Sequence, residues 1–530
     1  MIIRSPYPDV AIPDITLTPY VLRHAVDMPD KTAIVCGVTG QRYTFGELAT
    51  AVRRTAAGLH AKGIRKGDVV GIASPNVPDF AVAFFALTAI GATPSTVNPI
   101  ATAEEIGAQF SDSGAIAVIT VPPLLEKIQA AVRVASTVRE IFTFGSVDGA
   151  TPFASLLEFG DAAPEISIDA ATAVAVLPYS SGTSGIPKGV MLTHRNLIAN
   201  LIQTQTNPPM LSADDRVIAV LPFFHIYGMT VILAGALAEG ATIVTLPRFE
   251  LEQFLRTMQD HRVTYANVVP PIVLALAKHP IVDSFDLSAL ATVFSGAAPL
   301  GDDLARACAK RLNVRVRQGY GLTETSPVTH YHPMSADVDE PASVGPLVAN
   351  TEARVVDPGT GQDVQRGERG ELWIRGPQVM LGYLNKPEST AACMTPDGWF
   401  KTGDVAIADE KGWFCIVDRV KELIKYKGMQ VAPAELEAVL LSHPSITDAA
   451  VIPVPDDEAG EIPKAYVVVR APMTEAEVMA FVAERVSPYK KIRRVEFTDV
   501  IPKSPSGKIL RRLLVEKERM AERNASQRVT

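Results

Sequence analysis

Residues 179–193 read Y-S-S-G-T-S-G-I-P-K-G-V-M-L-T and follow a short apolar run, A-V-A-V-L, at residues 173–177. An aliphatic run that ends in glycine and hydroxyl residues predicts a buried strand leading into a tight loop. The glycines let the loop backbone turn its N–H groups toward an anion, and the hydroxyl side chains add further donors. Lys188 supplies a positive charge. This stretch therefore predicts a phosphate-binding loop.

The loop differs from the Walker A pattern, because Gly189 follows the lysine where that pattern requires a hydroxyl residue. A plain glycine-rich turn is the alternative interpretation of such a stretch. The candidate phosphate ligands are Ser180, Ser181, Gly182, Thr183, Ser184, Gly185 and Lys188.

The sequence S-S-G-T-S-G-I-P-K-G-V at residues 180–190 resembles the phosphate-binding signature of the adenylate-forming (ANL) superfamily. This superfamily includes acyl-CoA synthetases, firefly luciferase and the adenylation domains of peptide synthetases. The resemblance covers almost the whole chain, and 4-coumarate:CoA ligases and neighbouring acyl-CoA ligases look most similar. It implies an α/β fold with a large N-terminal region of two α/β subdomains plus a small distorted β-barrel, followed by a small mobile α+β C-terminal cap. It also implies ATP, Mg²⁺ and coenzyme A.

Composition is that of a folded protein with more than one domain, because 47% of the 530 residues are hydrophobic and 20% are charged. The four cysteines lie far apart, which argues against a disulfide framework or a zinc site and fits the reducing cytoplasm. The net charge of −8 and the lack of a basic stripe argue against nucleic acid as a partner. The first ten residues lack the apolar run of a signal peptide.

Two uncharged windows, residues 80–103 and 217–238, have the length of membrane spans. Prolines and polar residues interrupt both windows, so we expect buried helices and strands there and no integral membrane segment.

Strands and helices alternate in the first part of the chain, which predicts parallel α/β architecture. Residues 43–63 are expected to form a helix with a capping box at Thr44 and Glu47, and residues 80–90 another. Strands are expected at residues 68–74 and 115–120. After residue 345, short β-like runs at 352–356 and 371–374 predict the small barrel, over about 345–417. By the resemblance, the adenylation domain spans 1–418 and the cap 419–530, with the hinge near Lys421.

Residues 221–229 read L-P-F-F-H-I-Y-G-M. A lone histidine among aromatic residues is more often a packed core residue than a functional one. The resemblance implies that His225 orients the carboxylate for adenylation and gates entry of the thiol, and that Ile226 and Tyr227 begin the wall of the acyl pocket.

Residues 293–300, V-F-S-G-A-A-P-L, predict a strand that ends in a turn. Small residues there let a flat adenine or aromatic acyl group approach the backbone closely. Phe294 makes the distal pocket apolar where related ligases can carry polar side chains. The implied acyl pocket comprises Ile226, Tyr227, Phe294, Gly296, Ala297, Gly319, Gly321, Pro327 and Val328.

The nucleotide site is implied by two further motifs, Q-G-Y-G-L-T-E-T-S-P at residues 318–327 and D-G-W-F-K-T-G-D at residues 397–404. Tyr320 is suited to stack on adenine, Thr323 to contact phosphate and Glu324 to ligate Mg²⁺. A carboxylate such as Asp404 can accept both hydroxyls of a ribose. Further nucleotide contacts implied by the resemblance come from Gln318, Gly319, Gly321 and Arg419.

The C-terminal part carries two basic motifs, C-I-V-D-R-V-K-E-L-I-K-Y-K-G at residues 415–428 and I-P-K-S-P-S-G-K-I-L-R-R at residues 501–512. An exposed hairpin and a solvated lysine at a loop tip are the simpler interpretations. The resemblance implies that Lys425, Lys427 and Gly428 face coenzyme A during thioester formation. It also implies that Lys508 bridges the carboxylate and the α-phosphate during adenylation.

These motifs together predict an ATP-dependent carboxylic acid:CoA ligase that forms an acyl-adenylate and then an acyl-CoA, acting on hydroxycinnamic acids such as 4-coumarate. A medium-chain fatty acyl-CoA ligase is the alternative within the same chemistry. Other classes are an adenylation protein that loads a carrier protein and a non-catalytic nucleotide-binding homologue. No G-x-S-x-G motif supports a hydrolase. We expect a monomer or weak homodimer.

Overall fold

A computed structural model describes residues 1–160, 165–180, 187–205, 209–334, 342–420, 422–427, 429–456, 458–505 and 507–527. Its strands are, in chain order, β1 (Ile3–Arg4), β2 (Thr32–Cys36), β3 (Arg42–Thr44), β4 (Val69–Ala73), β5 (Thr93–Thr96), β6 (Ala117–Thr120), β7 (Glu140–Thr143), β8 (Thr151–Pro152), β9 (Val174–Val176), β10 (Tyr179–Ser180), β11 (Lys188–Thr193), β12 (Arg216–Ala219), β13 (Thr242–Thr245), β14 (Tyr265–Val268), β15 (Thr292–Ser295), β16 (Arg315–Gly321), β17 (Val328–Tyr331), β18 (Glu352–Val356), β19 (Arg369–Arg375), β20 (Gly382–Tyr383), β21 (Phe400–Ala408), β22 (Phe414–Arg419), β23 (Ile424–Tyr426), β24 (Met429–Val431), β25 (Ile446–Asp456), β26 (Gly460–Val469) and β27 (Arg494–Phe497).

The α-helices are, in the same order, α1 (Leu17–Val21), α2 (His24–Asp27), α3 (Phe45–Ala61), α4 (Pro78–Ala89), α5 (Ala103–Ser113), α6 (Leu125–Val132), α7 (His194–Thr204), α8 (Gly235–Ala238), α9 (Leu251–Asp260), α10 (Pro270–Lys278), α11 (Asp302–Leu312), α12 (Pro387–Cys393), α13 (Pro433–Ser442), α14 (Glu475–Ala483) and α15 (Arg511–Gln527). A π-helix at Tyr227–Ala234 precedes α8. Short 3₁₀ turns lie at Pro122–Leu124, Phe153–Glu158, Pro280–Ser284, Thr323–Thr325 and Pro488–Lys490.

Two α/β sheets form most of the N-terminal part, as the alternation of elements predicted. One is parallel, in the order β5-β4-β6-β7-β8, and the other has the order β17-β16-β15-β14-β12-β13-β2-β3 with antiparallel edges. The predicted capping box of α3 is present, because Thr44 accepts from the Glu47 N–H and Glu47 accepts from the Thr44 N–H. Such reciprocal bonds satisfy two free donors at the helix start.

Helix α4 lies between the two sheets and is apolar on all sides. Phe80, Phe84 and Phe85 are completely buried, and α4 contacts strands of both sheets. A helix that is hydrophobic all round belongs to the interior of a large core. The first uncharged window is therefore core, and within the described ranges no helix has the length and apolarity that crossing a membrane requires.

Two smaller sheets build a third subdomain and a C-terminal module, and a four-stranded sheet of β9, β10, β11 and β20 lies in the body. An antiparallel sheet in the order β1-β18-β19-β21-β22 has its own apolar core around Leu372 and Phe414. Strands β23 to β27 form a separate sheet, covered by α13 and α14 over a core that includes Leu436 and Val478. We call the chain that follows β22, up to the end of α15, the cap, and everything before it the body.

The topology brings four segments together at one edge of the larger body sheet. Strands β12, β14, β15 and β16 run parallel, so their carboxyl ends point the same way. Ligands of open α/β sheets bind beyond the carboxyl ends of the strands. His225 follows β12, Val269 follows β14, Gly296 follows β15 and Tyr320 lies near the end of β16.

Candidate active site

The ribose-binding candidates Asp404 and Arg419 face each other on adjacent antiparallel strands. The register of β21 and β22 pairs them, and Arg419 Nε lies 3.3 Å from Asp404 Oδ1. Tyr320 Oη donates to Asp404 Oδ2 at 2.6 Å. Burial, followed by the Asp404 carboxylate, raises the pKa of the Tyr320 phenol. The buried Asp404 carboxylate thus already accepts a hydrogen bond from one hydroxyl group, that of Tyr320, and the Tyr320 ring lies beside it.

The loop itself, residues 181–186, lies outside the described residues, so the predicted ligands Ser181, Gly182, Thr183, Ser184 and Gly185 are not located. Its two flanks are described: Ser180 pairs with Lys188 across an antiparallel ladder. These flanks fix where the loop begins and ends.

Lys188 belongs to a group of three side chains at the base of this loop. Its Nζ lies 4.9 Å from the centre of the Tyr383 ring, and Tyr383 Oη donates to Glu324 Oε1 at 2.8 Å. Tyr383 reaches this place because β20 pairs with β11, the strand that begins with Lys188. The side chains of Lys188, Tyr383 and Glu324 therefore lie together, although the sequence predicted only Lys188 and Glu324 as site residues.

Glu324 is 5% exposed and is the expected Mg²⁺ ligand. Tyr383 uses one lone pair of its carboxylate, and an ionised carboxylate has about four acceptor positions. Mg²⁺ at nucleotide sites is commonly held by one or two protein carboxylates together with substrate phosphates. No group of three or more candidate metal ligands occurs in the part of the chain that the structure describes. The residues present thus fit a metal shared with ATP rather than one held by protein alone.

Lys508 comes from the cap and enters the same region of the body. Burial and the Arg419 guanidinium lower the pKa of Lys508 to about 8, while Asp404 and Glu422 oppose the shift. Three hydrogen bonds close the turn that carries Lys508: Lys508 N donates to Ser504 Oγ at 3.1 Å, Gly507 N donates to Ser504 O at 2.8 Å, and Ser504 N donates to Lys508 O at 2.8 Å. Because the charges of Arg419 and Asp404 both act on Lys508, the predicted catalytic lysine lies near the predicted ribose ligands.

His225 lies close enough to Lys508 for the lysine charge to act on its imidazole. Its Nδ1 accepts the Tyr227 N–H at 3.3 Å, which places the proton of the neutral ring on Nε2. Burial, and secondly the Lys508 ammonium, lower the pKa of His225 to about 4. A neutral imidazole with an Nε2–H can donate a hydrogen bond to a carboxylate or carbonyl oxygen at neutral pH.

The predicted acyl-pocket residues also converge. A Cβ added to Gly296 would lie 2.9 Å from Tyr227 Cε1, and one added to Gly319 would lie 2.8 Å from Phe294 Cζ. Tyr227 Oη lies 3.3 Å from the carbonyl oxygen of Phe294. Ile226 is 2% exposed and therefore buried. The remaining predicted wall residues, Ala297, Gly321, Pro327 and Val328, lie at the ends of β15 and β16 and the start of β17.

Asn267 adjoins the predicted pocket residue Tyr227 and was not predicted from the sequence. It is fully buried, its Oδ1 lies 3.3 Å from Tyr227 Oη, and its Nδ2 has no hydrogen-bond partner within the described ranges. The only sequence signal was a polar residue inside the otherwise apolar strand Tyr265–Val268.

The predicted coenzyme A residues do not join this group. Lys425 and Lys427 are exposed on and after β23, where Lys427 Nζ pairs with Glu458 at 2.5 Å and the Lys425 N–H donates to Glu461 at 2.7 Å. Gly428 and the predicted hinge residue Lys421 lie outside the described residues. The conformation therefore presents Lys508 to the body and leaves the two other lysines on the cap surface.

Comparison with known proteins gives the family. The profile of the AMP-binding enzyme family matches residues 21–384, and that of the AMP-binding enzyme C-terminal domain matches residues 435–508. The chain is 44% identical to 4-coumarate–CoA ligase 5 of Oryza sativa subsp. japonica, over 96% of both chains. It is 42% identical to 4-coumarate–CoA ligase 2 of Petroselinum crispum, over 97% of this chain and 96% of the relative.

Solved structures share the fold. ATP-bound MatB from Rhodopseudomonas palustris aligns with a TM-score of 0.85 at 29% identity, over 95% of this chain and 99% of that one. The anthranilate CoA ligase AuaEII in complex with anthranoyl-AMP aligns with a TM-score of 0.90 over 96% and 98%, at an identity of 23% that speaks for the fold alone. The chain therefore belongs to the AMP-binding enzyme family, in the acyl-CoA synthetase branch of the adenylate-forming superfamily.

Proposed function

We propose that the protein is an ATP-dependent 4-coumarate–CoA ligase, AMP- and pyrophosphate-forming. The observation that carries the proposal is the convergence of Lys508, Asp404, Arg419 and His225 between body and cap, in a chain similar over nearly its full length to 4-coumarate–CoA ligases. The body ends near residue 418 and the cap turns about Lys421.

The first step is attack of the substrate carboxylate oxygen on the α-phosphorus of ATP. The bond from that phosphorus to the bridging oxygen breaks, and pyrophosphate leaves. Lys508 stabilises the negative charge shared by the carboxylate and the α-phosphate, and Lys188 with the loop donors stabilises the β- and γ-phosphates. His225 Nε2–H orients the carboxylate. Asp404 holds the ribose hydroxyls and Tyr320 lies against the adenine.

Glu324 is the protein ligand we assign to Mg²⁺, with Tyr383 fixing its carboxylate by the 2.8 Å hydrogen bond. The ion neutralises charge on the leaving pyrophosphate when it is bound. Thr323 lies next to Glu324 and supplies a hydroxyl to the phosphates.

The second step is attack of the coenzyme A thiolate on the acyl carbonyl carbon of the adenylate. The carbon–oxygen bond to AMP breaks, and AMP carries away the electron pair. Lys425 and Lys427 lie on the exposed face of the cap in the present orientation, which supports a rotation about Lys421 before this step.

One observation favours a second substrate class. Phe294 is 3% exposed and stacks on Tyr265 with ring centres 6.4 Å apart, so the wall at this position is apolar. An apolar wall suits the chain of a medium-length fatty acid as well as an aromatic ring. Medium-chain fatty acids are therefore the alternative substrates.

Location and assembly are part of the same proposal. The four cysteines, all among the described residues, form no disulfide, which suits a reducing compartment such as the cytoplasm. We propose a monomer or weak homodimer.

The test is product stoichiometry. Incubation with 4-coumarate, ATP, Mg²⁺ and coenzyme A should yield one AMP, one pyrophosphate and one 4-coumaroyl-CoA per ATP, measured by chromatography with mass detection. Pyrophosphate with no CoA thioester would refute the ligase assignment and favour a carrier protein as acceptor. Absence of any acid-dependent pyrophosphate would favour a non-catalytic homologue.

A further inference from the structure

Arg511 is the first residue of α15 and stands three positions after Lys508. Its guanidinium makes a two-point contact with Glu437, from Nη2 to Oε2 at 2.7 Å and from Nε to Oε1 at 3.2 Å. Its Nη1 also pairs with Glu422. Only 13% of the side chain is exposed. A planar guanidinium held at two edges is fixed in orientation as well as position.

The two carboxylates belong to different parts of the cap. Glu422 directly follows Lys421, the proposed hinge. Glu437 lies in α13 and also accepts the Val451 N–H at 2.8 Å, which fastens it to β25. Arg511 therefore ties the segment that carries Lys508 both to the chain just past the hinge and to the core of the cap.

Asp418 continues this connection into the body. It lies in β22, its carboxylate accepts the Ala434 N–H at 3.0 Å, and its charge acts on Arg511. Helix α13 begins at Pro433, and its N-cap residue, Ala432, has no side chain that could accept a hydrogen bond from the helix. A carboxylate at a helix start satisfies a free N–H and interacts favourably with the helix dipole. A body residue, Asp418, thus stabilises the N-terminus of α13, which is the first helix of the cap.

A small apolar seam accompanies these polar contacts. Val405 of the body packs with Leu423 and Ala432 of the cap. Arg419, next to Asp418, contacts Asp404 in the ribose site. The charged cluster, the seam and the nucleotide site therefore adjoin one another along β22.

We infer that Arg511 is a positioning residue for the adenylation step, which holds Lys508 at the body by fastening its turn to Glu422, Glu437 and the Asp418-capped helix α13. The inference rests on the proposed two-step function. Misplacing a catalytic group by about 1 Å can cost about 100-fold in rate. Loss of Arg511 leaves Lys508 in the chain but removes what fixes its turn, so the step that uses Lys508 slows and the other step does not.

The test compares Arg511→Gln with the control Arg512→Gln, a neighbour that is 67% exposed and whose ion pair is a 3.5 Å contact with Glu516. Two reactions are measured on each protein: pyrophosphate release with 4-coumarate, and thioester formation from supplied 4-coumaroyl-AMP and coenzyme A. We expect a loss of about 100-fold in the first reaction and less than about threefold in the second for Arg511→Gln, with wild-type values for Arg512→Gln. Equal losses in both reactions, or no loss in either, would overturn the inference.

Arg511→Lys and Glu422→Gln keep the test decisive if Arg511→Gln does not fold. Lysine retains the charge but cannot make the two-point contact, so Arg511→Lys should show the same bias against adenylation to a smaller extent. Glu422→Gln removes one partner near the hinge and should show the bias too; unbiased activity in both variants would refute a positioning role. A wild-type enzyme that makes no thioester would instead refute the proposed function.

Discussion

Gly507 packs against Val269 so closely that an added Cβ would lie 2.9 Å from Val269 Cγ2. Gly507 belongs to the cap and has φ +78°, whereas Val269 follows β14 in the body. The contact brings the backbone beside Lys508 to the carboxyl edge of the large sheet. It supports the proposal that this orientation of the cap is the one used for adenylation.

Lys508→Ala should abolish most acyl-adenylate formation and spare thioester formation from supplied acyl-AMP, because the lysine charge acts on the first step. Loss of one charge-stabilising donor costs about 100-fold to 1000-fold in kcat. Pyrophosphate release and thioester formation are assayed separately, with Lys503→Ala as control, since Lys503 pairs with Asp448 in the cap. Equal loss in the two steps would contradict separate cap orientations.

Adenylation should also lose activity on the alkaline side. In the proposed mechanism Lys508 acts as an ammonium. Its pKa in the protein without ATP is lowered to about 8, so kcat/KM should be highest below pH 8 and should fall as the pH rises through that value. The pH profile of pyrophosphate release with wild type should show this limb. Lys508→Arg retains its charge at high pH, and an unchanged limb in that variant would show that another group titrates.

Asp404→Asn should weaken ATP binding. The substitution removes the charge that Arg419 and Tyr320 contact, and hydrogen bonds to charged groups contribute about 1.5–3 kcal/mol, so KM for ATP should rise by about 10-fold to 100-fold. Asp409→Asn is the matched control, because Asp409 follows the same strand and accepts the Trp413 N–H at 2.7 Å. Similar KM values for the two variants would remove Asp404 from the nucleotide site.

Gly296→Ala should narrow the acyl pocket, since its Cβ would meet the Tyr227 ring at 2.9 Å. We expect kcat/KM for 4-coumarate to fall at least about 10-fold, the effect of about 1.4 kcal/mol, with little change in KM for ATP. Gly301→Ala is the control, because its Cβ would meet its nearest neighbour, Ala438, at an ordinary 3.7 Å. If Gly296→Ala left kcat/KM for 4-coumarate unchanged, the acyl group would have to bind elsewhere.

Stability should fall in mild acid because three buried histidines are held neutral. Burial lowers the pKa to about 4 for His194, about 3 for His330 and about 4 for His332. These histidines bind protons near pH 6.5 in the unfolded chain but not in the folded chain. Their contribution to the free energy of unfolding is therefore complete above pH 6.5 and decreases as the pH falls toward 4.

The expected slope is about 1.4 kcal/mol per pH unit for each histidine below its unfolded pKa. His330→Phe should reduce the slope of the free energy of unfolding against pH, measured by urea unfolding, by about 1.4 kcal/mol per pH unit. Phenylalanine cannot bind a proton, and its ring can keep the packing of His330 on Phe414, whose ring centres are 4.5 Å apart. A stability that does not vary between pH 7.5 and 5 would contradict the assignment.

Local elements of the fold could be predicted from sequence wherever local chemistry sufficed. The strand expected at residues 352–356 is β18, Glu352–Val356, and the helix that starts after Thr44 is α3. Each of these depends on residues within a few positions of one another.

Long-range pairings were not predictable in this way. Tyr383 reaches Glu324 and Lys188 because β20 pairs with β11 across almost two hundred positions, and nothing in L-G-Y-L-N indicates that partner. Arg511 looks like any basic residue at a helix start, yet it meets Glu422 and Glu437. The carboxyl-edge residues could be grouped by strand order, whereas these contacts required the sheet register and the packing of the cap.

The most direct measurement is acid-dependent pyrophosphate release with ATP and Mg²⁺ across 4-coumarate, caffeate, cinnamate, benzoate, octanoate and palmitate, each with and without coenzyme A. The account predicts the highest kcat/KM for the hydroxycinnamates, with turnover that requires coenzyme A and matches thioester formation. A preference for octanoate would contradict the assigned substrate while keeping the chemistry. Release that never leads to a thioester, with any acid of the panel, would contradict the central claim of a CoA ligase.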